Sequence, residues 1–167
     1  MSDYVLTTQS ALGGIERDFP EVTISESTSH AIISVAVPCG GEKELSEAIA
    51  LSFKTKLPPV GESTTSTIKN ARILGMQQDQ FFLLFEYSGL NAVNELSKEI
   101  RAAAYLTDQS DSWVIISISG LQAYNALQRT CLVDLHRLNF PSGAVARTVM
   151  DHLSTIIVRE EPNTFLL

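Results

Sequence analysis

Cysteine is scarce in this sequence. Cys39 and Cys131 stand far apart, with no CxxC pairing. That rules out a disulfide framework and points to reduced thiols in a cytoplasmic protein. The three histidines, His30, His136 and His152, never fall at HxxxH spacing, so the paired-ligand pattern of zinc sites is missing too. Long apolar runs are also lacking. The longest, Phe81 to Phe85, is strand-sized, whereas a bilayer span needs roughly 20 residues. The start, Met1-Ser2-Asp3-Tyr4, has no basic stretch followed by an apolar one, so no secretory signal is expected. Basic residues are outnumbered, 12 to 19, for a formal net charge of −7. Such a chain offers no unspecific surface for nucleic acid or an anionic membrane, which would need a positive field. The short charge runs Glu42–Glu44 and Arg159–Glu161 are expected to be solvated faces or turns.

What is present suits a globular fold. The 167 residues fit one domain or two small, closely packed ones, enough to bury a core without metal or disulfide. An apolar fraction of 44% and a charged fraction of 19% are ordinary for a folded domain. Residues 1–28, rich in Ser, Thr, Glu and Gly, read as an extended N-terminal arm that a partner orders. The globular region is expected over 29–167.

Within it, Ala31–Val37 reads as a strand and Glu42–Leu57 as a helix with Leu45, Ile49, Phe53 and Leu57 on one face. Gly61–Thr67 reads as a polar connector. Ala71–Met76 and Gln80–Glu86 read as a hairpin, Asn91–Ala103 as a helix, and Ala104–Thr107 and Trp113–Ser119 as strands. Ser119 is placed to cap a third helix, Leu121–Thr130. A loop, Asp134–Gly143, follows, then a last hairpin, His152–Val158 and Thr164–Leu167. Helices do not alternate one-to-one with strands, and hairpins recur. The expected class is therefore α+β, a mainly antiparallel sheet with packed helices. The first β-α-β-β-α-β run matches ferredoxin-like, split βαβ units.

Catalytic signatures are absent: no GxGxxG, no GxxxxGKS/T, no HExxH and no GxSxG occurs. Cys131, Asp134 and His136 lie close in sequence without metal-ligand spacing. Cys131 follows an apolar helix face, which favours packing over reactivity. Trp113, Tyr124, Phe81 and Phe82 sit at strand or helix spacing and read as core. The residues alone indicate no catalytic, cofactor-binding or metal site.

Four stretches carry a resemblance. They are Leu74–Leu83 (LGMQQDQFFL), Tyr105–Asp111 (YLTDQSD), Ile118–Ala123 (ISGLQA), and Cys131–His136 (CLVDLH) with Phe140–Thr148 (FPSGAVART). In order and spacing they resemble the gamma subunit family of heterotetrameric sarcosine oxidase, strongly from about Ala71 onward. That family is related in fold to the folate-binding domain of the glycine-cleavage T-protein.

The resemblance implies a non-catalytic subunit of a complex that oxidatively demethylates sarcosine. The products would be glycine, hydrogen peroxide, and formaldehyde or methylene-tetrahydrofolate. The alternatives are a sister complex acting on another N-methyl amino acid such as N-methylglutamate, or a freestanding folate-binding module. The partners implied are alpha, beta and delta subunits, which would carry the FAD, FMN, NAD, tetrahydrofolate and zinc. No cofactor is expected on this chain. Relative to the family, Met76, Gln77 and Phe81 replace hairpin Pro and Trp positions, and a C-terminal helix beyond Leu167 is missing. The 134–148 segment is long with few polar breaks, so it is expected either to meet the alpha subunit or to pack on its own sheet. The interface residues would be Asp134, Leu135, His136, Leu138, Phe140, Pro141, Arg147 and Thr148.

Overall fold

The computed structural model describes residues 9–100 and 102–167. In chain order the strands and helices are β1 (Glu16–Phe19), β2 (Val22–Ser27), β3 (His30–Ala36), α1 (Glu42–Phe53), β4 (Ser63–Ser66), β5 (Ala71–Gln77), β6 (Gln80–Glu86), α2 (Ala92–Ile100), β7 (Tyr105–Asp108), β8 (Ile115–Ser119), α3 (Ala123–Leu127), β9 (Val145–Met150), β10 (Leu153–Glu161) and β11 (Thr164–Leu166). The strands form two sheets, ordered β1-β2-β8-β11-β10-β9 and β4-β5-β6-β3-β7. Every paired strand is antiparallel to its neighbour. Antiparallel sheet with packed helices is what the sequence pattern predicts; the division into two sheets is not.

The five-stranded sheet is buried on both faces. On one, Ala31, Ile33 and Val35 of β3 and Phe81, Leu83 and Phe85 of β6 meet Leu45, Ile49 and Phe53 of α1 and Leu96 and Ile100 of α2. On the other, Ile32, Leu74, Phe82 and Leu84 meet Ile115, Val145, Ile156 and Val158 of the six-stranded sheet. The run Phe81–Phe85 is therefore continuously apolar, as a strand covered on both sides must be. The six-stranded sheet turns its outer face to α3 and the following loop through Ile118, Ile157, Phe165, Leu127, Leu135 and Phe140.

Polar groups join the two sheets at their edges. Arg72 of β5 donates to Glu160 of β10 at 2.8 Å and to Ser63 Oγ at 3.1 Å. The charge run Arg159–Glu161 is thus not a solvated turn: Arg159 is buried and Glu160 is paired. Backbone bonds from Ser63 N to the Gly143 carbonyl (2.7 Å) and from Val145 N to the Gly61 carbonyl (2.8 Å) run between the same two sheets.

Several elements depart from the periodicity. Residues 16–27 of the expected extended arm form the β1–β2 hairpin, and β2 pairs with β8; residues 1–8 of that arm lie outside the described residues. Their Ser and Thr content resembles a linker, but Val22 and Ile24 pack on the outer-face core. Helix α1 stops at Lys54, in the left-handed region at φ 54°, although the apolar spacing continues to Leu57. Hydroxyls of the expected connector explain this. Ser66 Oγ donates to the Phe53 carbonyl and Thr64 Oγ1 to the Lys56 carbonyl at 2.7 Å, so the segment becomes edge strand β4.

Ser119 caps no helix. Its backbone pairs with Thr23 and Thr164 in the sheet, and Gly120, at φ 119°, turns the chain into the short α3. The 134–148 segment runs into β9, an edge strand whose Arg147 and Thr148 hide its alternation.

Gly75 sits at a bulge between β5 and β6, where a Cβ would lie 2.1 Å from the Pro59 carbonyl oxygen. Its amide donates to Glu62 and its carbonyl accepts from Gly61, both at 2.9 Å. Gly75→Ala is expected to destabilise the chain by about 1–3 kcal/mol through overpacking. Urea unfolding should show a lower midpoint with an unchanged slope.

Candidate functional site

Two regions concentrate functional groups. The first is an open groove of about 740 Å³ where the chain passes between the sheets. It is lined by the β2–β3 and β7–β8 crossovers, by the segment leading into α2, and by residues between 9 and 14. Glu26 ties that last segment down, its carboxylate accepting from Leu12 N at 3.1 Å and Gly14 N at 2.7 Å. Desolvation pushes the Glu26 pKa up, but these amides and the Ser10 hydroxyl outweigh it and hold the group below the usual glutamate range. His30 Nδ1 shares a hydrogen bond with Ser27 Oγ at 2.8 Å.

Asp108, Ser110 and Asp111 of the YLTDQSD stretch line the opposite wall, and two of them serve the backbone. Asp108 Oδ1 accepts from Ser110 N at 2.9 Å, and Ser110 Oγ accepts from Ile32 N at 3.1 Å. Trp113 also lines the groove. Trp113 stands edge-on to Phe82, with centroids 5.9 Å apart, and carries the Arg147 guanidinium 6.0 Å from its ring centre.

The second region is the loop Cys131–Gly143 leading into β9. Of the expected interface residues, Leu135 and Phe140 are corrections. They are 0% and 5% exposed and pack on the chain's own sheet, so no partner can touch them without unfolding the loop. Asp134, His136, Leu138, Pro141 and Arg147 are exposed, and Thr148 is half-buried.

Asp134 fixes the loop from within, its carboxylate accepting from Asn139 Nδ2 at 2.5 Å and His136 N at 2.9 Å. The Asn139 bond, with the His136 amide, holds the Asp134 pKa below the ordinary aspartate value. Arg147 and Asp134 do not form an ion pair; Arg147 lies on β9 against Trp113.

Sequence reasoning missed the residue that anchors this loop. Arg159, 3% exposed, donates to the Leu135 carbonyl and, at 2.6 Å, to the Pro162 carbonyl. Its guanidinium stacks 4.5 Å from the centre of the Phe165 ring, a geometry suited to cation–π attraction. It has no carboxylate partner among the described residues, and its Nε makes no hydrogen bond there. Burial lowers its pKa. The signal available in sequence was its position after the apolar run Ile156–Val158, continuing the strand alternation.

In the groove one hydroxyl meets an imidazole, Ser27 Oγ with His30 Nδ1, and no group of three or more His, Cys, Asp or Glu side chains placed to hold a metal ion gathers among the described residues. Cys131 is buried and Cys39 exposed. No helix among the described residues is long and apolar enough to cross a membrane.

No family model matches the sequence, and no curated protein matches it significantly. Solved structures do match in fold. A chain of heterotetrameric sarcosine oxidase from Corynebacterium sp. U-96, in complex with pyrrole 2-carboxylate, superposes with a TM-score of 0.72 and 21% identity. The match covers 87% of this chain and 73% of that one. The glycine cleavage system aminomethyltransferase T from Bartonella henselae superposes at 0.65 with 16% identity, over 87% of this chain and 41% of that one. The fold is therefore of the T-protein type, and this chain spans under half of the aminomethyltransferase.

Because the folded Asp134 pKa is depressed, the carboxylate's contribution to holding the loop is fully present above the unfolded value and is lost as pH falls through the lower folded value. Amide exchange at His136 and Asn139 should accelerate through that acid window. Asp134→Asn should remove the pH dependence. Arg159→Met should cost about 2–4 kcal/mol, since two carbonyls lose a charged donor, as read by thermal unfolding.

Proposed function

We propose that this chain is a non-catalytic subunit, of gamma type, in a heterotetrameric sarcosine oxidase of the cytoplasm. The assembly demethylates sarcosine oxidatively to glycine, with hydrogen peroxide and either formaldehyde or methylene-tetrahydrofolate. The supporting observation is a coincidence of two likenesses. The motif run over Tyr105–Thr148 resembles the gamma family, and the fold superposes on most of a sarcosine oxidase chain only modestly longer than this one.

In this reading the alpha, beta and delta subunits hold FAD, FMN, NAD, tetrahydrofolate and zinc, and this chain contributes shape and contact. Asp108 and Ser110 of the YLTDQSD stretch agree with such a role, because their side chains bond the backbone of their own turn and of β3. The order β5-β6-β3-β7, with α1 and α2 each leading between strands that are not neighbours, supports reading that unit as a ferredoxin-like split βαβ.

One observation favours a second reading, a folate-binding module. The groove brings Asp108, Asp111 and Trp113 together, and a pterin needs a carboxylate for its amino edge and an apolar face for its ring. Calorimetry with tetrahydrofolate on the isolated chain decides; heat of binding abolished by Asp111→Asn would establish it.

The subunit reading is tested by expressing the tagged chain with the genes beside it. The expected eluate is yellow, contains two flavin-bearing chains and a small zinc-bearing chain, and oxidises sarcosine, while the isolated chain does not. A colourless eluate without partners would sink it.

A further inference from the structure

We infer that the stretch from Arg129 to Leu138 is a rigid docking surface for an acidic, partly apolar patch on another protein chain. The identity of that chain as a subunit of the assembly rests on the function proposed above. Leu132 and Leu138 are 85% and 81% exposed. On a loose loop such side chains would fold back onto the sheet. Here they cannot, because the residues between and beside them are pinned. Leu135 and Phe140 are inserted in the core, Arg159 holds the Leu135 carbonyl, and Asp134 closes the turn. The leucines are thus held outward by construction, and a partner meeting them has little loop entropy to remove.

Charge selects the kind of partner. The stretch Arg129–Leu138 holds two arginines against one aspartate, Asp134, whose oxygens accept hydrogen bonds within the loop. Arg129 and Arg137 flank the leucines, are exposed, and form no ion pair with another described residue. The chain as a whole carries −7. An acidic partner is therefore repelled by the rest of the surface and attracted here, which sets orientation as well as contact. Exposed leucines with exposed arginines close by in the sequence suit a protein interface, which combines apolar and polar contact. Nucleic acid would have no use for the leucines and would meet a net negative molecule.

Three variants test the surface: Leu132→Asp/Leu138→Asp, Arg129→Glu/Arg137→Glu, and, as a control at exposed apolar positions elsewhere, Phe19→Asp/Leu51→Asp. The isolated chains are titrated with 8-anilinonaphthalene-1-sulfonate, an anionic apolar probe. They are then co-expressed with the neighbouring genes and the captured flavin is measured. Far-UV circular dichroism and melting temperature verify that each variant folds.

The expected result is dye fluorescence and flavin capture both lowered about tenfold in the leucine variant. Capture should be weakened and made less salt-sensitive in the arginine variant, and the control should behave as the parent. If the arginine variant alone folds, its loss of capture serves in place of the leucine result. Parental dye binding and capture in both loop variants would overturn the docking surface and leave the subunit reading intact. A parent that captures no flavin-bearing chain would overturn both. A parental dimer dissolved by the leucine variant would place a second copy of this chain on the surface and overturn the assignment to a different chain.

Discussion

Burial of the five-stranded sheet on both faces is the constraint from which the rest of this structure follows. Ile33, Leu83 and Phe85 face the helices while Ile32, Phe82 and Leu84 face the second sheet. Each such side chain contributes about 1.5–3 kcal/mol on leaving water, so neither covering layer can be removed without exposing an apolar surface. The helices must therefore lie on one side and the six-stranded sheet on the other. The chain must also pass twice between the sheets, after β2 and after β7. Those two passages make the groove, and the polar residues of the YLTDQSD stretch hold the second one in place. Two polar side chains of that motif, Asp108 and Ser110, are in the fold hydrogen-bonding groups of a crossover.

The electrostatics follow the same arrangement. Where the sheets meet at their rims, charged groups are half-buried and paired, as in Arg72 with Glu160. On the outer face of the six-stranded sheet, the buried Arg159 is bonded to carbonyls and stacked on Phe165 instead of paired with an acid. A buried guanidinium keeps its charge, and dipoles of the loop backbone are what compensate it. That ties the conformation of the 131–143 loop to the second sheet. Stability and surface shape are coupled at this point: the same bonds that satisfy the cation hold Leu132 and Leu138 in solvent.

Two inferences about function draw on different levels. A subunit role is suggested by motif resemblance and fold likeness together, with an inventory of side chains that serve structure. The docking surface depends only on exposure, tethering and charge in this chain. They meet in the loop after α3, which is both the stretch most like the sarcosine oxidase gamma family in sequence and the place where apolar groups are held out against solvent.

The sequence by itself determined the elements whose pattern is local: β3, the β5–β6 hairpin, both longer helices, and an antiparallel α+β class, because apolar periodicity and turn residues act within a few positions. Its deficit of basic charge and the spacing of its cysteines and histidines narrowed the chemistry in the same way. Only the tertiary structure decided the division into two sheets and three of their four edges, since β1, β4 and β9 are edge strands whose polar residues read as loops until a neighbouring strand pairs with them. It likewise ended α1 at Lys54, where hydroxyls from β4 capture the carbonyls, and took Ser119 from a helix cap into a ladder. At the candidate interface, sequence could name an apolar loop but could not tell anchor from exposed contact. Leu135 and Leu138 are three positions apart in one irregular segment, and which of them enters the core depends on where Arg159, from a distant strand, finds a carbonyl.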